Sequence, residues 1–161
     1  MNPYRWIVQE LGRTRGFTWL LARVLPPLDA RFRGHRRSLT SFGTGFPFCF
    51  LTTTGRRSGV ERTVPLLFVA DGDRVVLFAS NWGRHEHPAW ALNLDATPAA
   101  TVEIEGRSRA MRARRATQDE EWRYWPRAED IYPGYAGYRR RAGREVRVFV
   151  LEPVTAAAGP R

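Results

Sequence analysis

The stretch Phe50-Leu-Thr-Thr-Thr-Gly-Arg-Arg-Ser-Gly59, continuing as Val60-Glu-Arg-Thr-Val-Pro-Leu-Leu-Phe68, decides how the chain is read. Phe50 and Leu51 are apolar and Thr52, Thr53 and Thr54 are β-branched, which suits a pleated and largely buried strand. Gly55 and Gly59 bracket a tight loop whose backbone needs conformations closed to other residues. Inside the bracket stand Arg56, Arg57 and Ser58, with Arg62 just beyond. Guanidinium forks, a hydroxyl and backbone N–H groups on a short hinged loop are equipped to grip phosphate or carboxylate. The Gly-Lys-Ser/Thr ending of a Walker loop is absent. The competing reading is a solvated basic hairpin turn, and spacing alone does not separate the two.

Working outward, 161 residues make one domain with a proper core. The 26 basic residues are all arginine, and against 16 acidic residues they give a net charge of +10. Such a charge attracts anions of any kind. A single cysteine, Cys49, excludes an intrachain disulfide and any multi-cysteine zinc site, and its apolar neighbours predict a buried, inert thiol. No run is long and apolar enough to span a bilayer, and no secretory pattern opens the chain, so the sequence reads as cytoplasmic.

Residues 3–28 carry a helical spacing of Phe17, Leu20, Leu21, Val24 and Leu28, ended by Pro26-Pro27. This basic amphipathic helix either packs on the main domain or lies on an anionic membrane surface. Residues 31–47 read as loop. From 48 to 117 the signals are strand and hairpin, with Asp71-Gly72 and Gly106 as turns. A short helix is expected over 87–95, Thr117-Gln-Asp-Glu120 is a capping box opening a helix to about 130, and further helix is expected over 133–141. A last strand covers 146–151. The fold expected is mainly β with flanking helices (α+β), a small antiparallel barrel of about six strands. Residues 1–46 form an N-terminal covering segment, 47–154 the barrel domain and 155–161 a tail.

Three further clusters bear chemistry. Ser80-Asn-Trp-Gly-Arg-His-Glu-His87 follows a strand end, where functional loops concentrate. Its two histidines lack metal-ligand spacing and no nucleophile elbow surrounds Ser80, so neither a metal site nor a serine nucleophile is expected. Ser80, Asn81 and Asn93 either hydrogen-bond a flat polar ring walled by Trp82 or Trp90, or belong to a capped helix start with two core tryptophans. Tyr132, Tyr135 and Tyr138 stand three apart, either as a packed stripe or as hydroxyls that orient an acceptor and pass it a proton.

In order, Leu51–Gly59, Arg62-Thr-Val-Pro-Leu66, Ala79-Ser80, His87-Pro-Ala-Trp90, Asn93-Leu94, the three tyrosines and Val148–Pro153 resemble the deazaflavin (coenzyme F420)-dependent nitroreductases and quinone reductases of actinobacteria. The resemblance spans about 48–153. It implies a split β-barrel related to those of flavin-mononucleotide-binding oxidases, and hydride transfer from C5 of the reduced coenzyme to a quinone-like, nitro or other activated lipophilic acceptor. It implies that Arg56, Arg57 and Arg62 hold the coenzyme's phosphate and oligoglutamate tail. Thr54, Pro65, Ala79, Ser80, Asn81, Trp90 and Asn93 would border the coenzyme. Ser80, Tyr132, Tyr135 and Tyr138 would act on the acceptor. The N-terminal segment in such proteins often covers the substrate site and in some promotes peripheral contact with the inner face of the membrane. A monomer or a homodimer is expected, with no nucleic-acid partner and no metal. Two departures stand out: Asn81-Trp82 replaces a lysine-glycine pair of several relatives, and Leu67 replaces a tyrosine, which points to a different acceptor pocket. The rivals are a split-barrel protein that binds flavin mononucleotide (FMN) or haem, and a basic module for membrane or nucleic acid.

Overall fold

The computed structural model describes residues 46–154; the expected helix at 3–28, most of the loop at 31–47 and the tail lie outside them. Seven strands form one antiparallel sheet: β1 (Phe48–Thr54), β2 (Glu61–Leu67), β3 (Val69–Asp71), β4 (Arg74–Phe78), β5 (Ala99–Ile104), β6 (Arg107–Arg115) and β7 (Val148–Pro153). The helices are α1 (Ala89–Ala96), α2 (Gln118–Ile131) and α3 (Gly134–Ala142). No helix among the described residues is long and apolar enough to cross a membrane.

The order across the sheet is β2-β1-β5-β6-β7-β4-β3. Its two edges, β2 and β3, are therefore consecutive in the chain and separated only by Phe68. The strand expected over Val64–Ala70 is interrupted at Phe68, whose N–H bonds the carbonyl of Pro47 at 3.2 Å and extends the β1–β2 register by one pair before the chain pairs with β4. One interrupted segment thus serves both margins of a curled sheet, and the expected strand count of about six becomes seven. The result is the α+β split barrel expected from the sequence.

Alternation along the strands makes two cores. One lies inside the barrel, where Leu51, Leu77, Val102, Met111, Phe149 and Leu151 meet Trp90, Ala91 and Leu94 of α1. The other lies outside it, where Val76, Phe78, Val148 and Val150 are covered by Tyr124, Trp125, Tyr132, Tyr135 and Tyr138 of α2, α3 and their junction. β4 and β7 are therefore buried on both faces, as their unbroken apolar runs require. Each fully buried aliphatic side chain here contributes roughly 1.5–3 kcal/mol. Cys49 is buried in the inner core and its thiol is pushed up to about 12 by desolvation, which makes it inert.

α2 starts where the capping box places it. Thr117 Oγ1 accepts from the Glu120 N–H at 3.3 Å and Glu120 Oε2 from the Thr117 N–H at 2.9 Å. The same carboxylate is gripped bidentately by Arg114 of β6, both contacts at 2.7 Å. At its other end α2 meets β3, as the Tyr124 hydroxyl donates to Asp71 at 2.7 Å and the Arg127 guanidinium to the carbonyl of Ala70. α1 begins at Ala89, with Pro88 as the residue before its first turn, and its last turn is tied down by Asp95, which accepts from Arg115 and Arg147.

Candidate functional site

The β1–β2 turn is built from its own backbone. The Gly55 N–H donates to Val60 at 2.9 Å and the Gly59 N–H to Gly55 at 2.7 Å, with Gly59 at φ +67°. A helix far along the chain fixes where this turn points. Asn93 of α1 is buried; its Oδ1 accepts from the Arg56 N–H at 3.1 Å and its Nδ2 donates to Thr53 Oγ1 at 3.1 Å. Both ends of the amide are spent on the loop and on β1, so Asn93 sets the loop's position from behind.

The side chains of Arg56, Arg57 and Arg62 are exposed and meet no carboxylate among the described residues. Arg74, Arg109, Arg114, Arg115, Arg127 and Arg147 each pair with an acid, whereas Arg84, Arg107, Arg112 and Arg140, like these three, have no acidic partner among the described residues. Two guanidiniums on the pinned turn and a third at the start of β2 are chemically suited to an anion such as a polyanionic cofactor. Thr54 and Pro65 lie half-buried on the outer face of the β1–β2 ladder, where Pro65 pairs with Phe50 and Thr52 Oγ1 meets Thr63 Oγ1 at 2.8 Å.

β4 delivers the second element. Ala79 and Ser80 are buried at its end, and the Ser80 hydroxyl has no hydrogen-bond partner among the described residues. Asn81, half-buried, is not aimed at a ligand by its amide, since Nδ2 donates to the carbonyl of Glu86 at 2.8 Å. Trp90 is buried inside the barrel, edge-on to Phe149 with centroids 5.7 Å apart.

The tyrosines form a third element, and they are packed together. Tyr132, Tyr135 and Tyr138 have mutual centroid distances of 5.9–6.1 Å. Phe46 lies edge-on to Tyr132 at 6.1 Å and Phe78 meets Tyr135 at 5.4 Å. The hydroxyls of Tyr132 and Tyr138 share a hydrogen bond of 3.2 Å. Desolvation, and for Tyr138 also that hydrogen bond, push the Tyr135 and Tyr138 hydroxyls well above the ordinary phenol range. They stay protonated near neutral pH and are available as donors.

Sequence reasoning missed the residue that fixes the loop after β4 to the segment following α3. The Arg144 guanidinium donates to the carbonyls of Ala79 (3.1 Å), Arg84 (3.2 Å), Glu86 (3.0 Å) and Glu145 (2.9 Å) and bonds His87 Nδ1 at 3.0 Å, with Ser80 O at 3.5 Å. His87 is therefore an acceptor at Nδ1, neutral, with its proton on Nε2. The only sequence signal for this clamp was Gly143 after a run of arginines at the end of α3.

The chain is similar to several known proteins. The family described as F420H(2)-dependent quinone reductase matches residues 29–153. A Mycobacterium tuberculosis protein named for F420H(2)-dependent quinone reduction is 34% identical over 115 residues, covering 69% of this chain and 97% of that one. An F420H(2)-dependent quinone reductase of the same species is 27% identical over 155 residues, covering 94% of this chain and 98% of its own. Among solved structures, an F420-H2 dependent reductase (FDR-A) superimposes with a TM-score of 0.61 at 34% identity, covering 66% of this chain and 94% of that chain.

Proposed function

This chain belongs to the F420H(2)-dependent quinone reductase family, and from that premise we propose that it reduces a lipophilic quinone with reduced coenzyme F420. The observation that carries the reading is the set Arg56 and Arg57 on a turn pinned by Asn93, with Arg62 beside them on β2, none meeting a carboxylate among the described residues. These guanidiniums would take the coenzyme's phosphate and carboxylates, whose charge they match and whose geometry favours bidentate hydrogen bonds. When bound, the coenzyme supplies a hydride; a quinone that takes the hydride and one proton becomes the hydroquinone.

The remaining work falls to side chains. The Ser80 hydroxyl, at the end of β4, offers a hydrogen bond at the ring's margin. Tyr138 and Tyr132, linked through their hydroxyls, can offer a hydrogen bond to an acceptor oxygen. Their burial keeps water from the transfer at the edge of the cluster.

Titration of the coenzyme's fluorescence with protein tests the binding half, and anaerobic mixing of reduced coenzyme with a naphthoquinone tests the reaction by the return of oxidised deazaflavin absorbance. Saturable binding and turnover are expected. Absence of binding with the arginine turn intact would overturn the reading.

A further inference from the structure

Asn81, Trp82 and Gly83 all have left-handed backbones, with φ of 47°, 59° and 76°. Glycine takes this conformation freely and asparagine tolerates it, but an indole-bearing residue there is strained. Such strain persists only where the surroundings over-determine it.

Two sets of contacts do so. The Arg144 clamp fixes carbonyls on both sides of the strained triplet, those of Ala79 before it and of Arg84 and Glu86 after it. Gly83 is pressed onto α3, where an added Cβ would lie 3.2 Å from both the Tyr138 Cα and the Arg141 Cβ. The loop has no room to relax towards the helix. The residue held this way is not a core residue: Trp82 is 38% exposed, with its ring 6.0 Å from and edge-on to Tyr138. The chain keeps an indole in a disfavoured backbone state and leaves much of its surface to solvent. That surface stands two residues past Ser80 and adjoins the tyrosine cluster.

We propose that Trp82 is the wall of the acceptor subsite that selects fused-ring over single-ring quinones, and that Arg144 is the positioning residue that holds it there. This rests on the quinone-reductase reading above. A flat two-ring acceptor offers the indole a face to stack on, worth about tenfold in discrimination, whereas a single small ring gains less.

The test compares kcat/KM for 1,4-naphthoquinone and 1,4-benzoquinone in the parent, Trp82→Gly, Arg144→Ala and the double variant, with coenzyme affinity and melting temperature measured for each. Glycine relieves the strained φ, so Trp82→Gly should melt no lower than the parent while its naphthoquinone preference falls about tenfold. Arg144→Ala should lose the same preference, and the double variant should lose no more than either alone. Should Arg144→Ala fail to fold, Arg144→Lys replaces it, since one ammonium cannot span these acceptors and part of the preference should still be lost. A parent that binds no coenzyme and reduces neither quinone sinks the reductase reading and this inference with it. An active parent whose preference survives Trp82→Gly sinks this inference alone, as does a clear drop in melting temperature, which would mark the indole as ordinary packing. Additive losses in the double variant, or an unchanged preference in Arg144→Lys, would remove Arg144 from the role.

Discussion

Asn93 and Arg56, 37 residues apart, are joined by a 3.1 Å hydrogen bond from the Arg56 N–H to the Asn93 side-chain oxygen, so a helix plugging the barrel dictates where the arginine turn stands. The other half of the amide holds Thr53. Asn93→Ala leaves a buried hydroxyl and a loop N–H without their partner, which costs about 1–3 kcal/mol of stability. It should also weaken coenzyme binding although Asn93's amide is turned to the protein. Thermal melting and fluorescence titration read the two effects, and a loss of stability with unaltered coenzyme affinity would show that the turn keeps its shape unaided.

The arginines themselves make a separable prediction. Arg57 has no carboxylate among the described residues to compensate, so Arg57→Ala should leave stability nearly unchanged while coenzyme affinity falls roughly tenfold to a hundredfold. The parent's affinity should also drop as salt rises, and less steeply in the variant, because an exposed ion pair is screened. Equal affinities at low salt would mark the turn as mere surface.

Glu120 links stability to acid pH. Arg114 grips it bidentately and, with the Thr117 N–H, draws its carboxyl from 4.5 down to about 2. A carboxylate whose folded value is depressed adds stability that is complete above its unfolded value and fades as pH falls through the folded one. Glu120→Gln should therefore cost about 1–3 kcal/mol near neutrality, less than a fully buried pair because Arg114 is partly exposed. The gap between variant and parent should close between pH 4.5 and about 2. A gap that stays constant over that range would refute the assignment.

His87 behaves in the same direction for a different reason. Desolvation first, then repulsion from Arg144, Arg147 and Arg115, lower its value below the ordinary 6.5, with Asp95 opposing. Because the neutral ring accepts from Arg144, its contribution is present above pH 6.5 and is lost as pH falls through the lower folded value. Asn at 87 keeps an acceptor that does not titrate. Melting curves of His87→Asn should flatten the loss of stability just below pH 6.5, and an unchanged pH profile would place the titration elsewhere.

What could be read from the chain was local. The Gly55–Gly59 bracket and the Thr117/Glu120 box each act within a few residues and appear where their chemistry puts them; the hairpin expected at Asp71-Gly72 forms one residue later, with Gly72-Asp73 as its loop and Asp71 paired with Arg74. The break at Phe68 was not legible, because it follows from closure of the sheet and not from any preference of phenylalanine. The Arg144 clamp was hidden for a sharper reason: most of its partners are backbone carbonyls near residue 80, and a carbonyl carries no sequence identity. The left-handed run at Asn81-Trp82-Gly83 was half legible, since asparagine and glycine permit it, but nothing in tryptophan predicts it.

Gly134 gives the tyrosine cluster its sharpest test. Exchanging glycine for alanine within a helix is ordinarily stabilising by up to about 1 kcal/mol. Here a Cβ at 134 would sit 2.2 Å from Cε1 and 2.6 Å from Cζ of Tyr132, whose ring lies across the start of α3. The ring has to swing away, and with it go the edge contact to Phe46 and the hydroxyl bond to Tyr138. Gly134→Ala should therefore reverse the usual sign and cost about 1–3 kcal/mol, as overpacking does. Quinone turnover should fall further than coenzyme affinity, because the displaced hydroxyl pair is assigned to the acceptor and the arginine turn is untouched. A variant as stable as the parent would mean that Tyr132 does not lie over this glycine, and unaltered turnover would take the tyrosine pair out of the reaction.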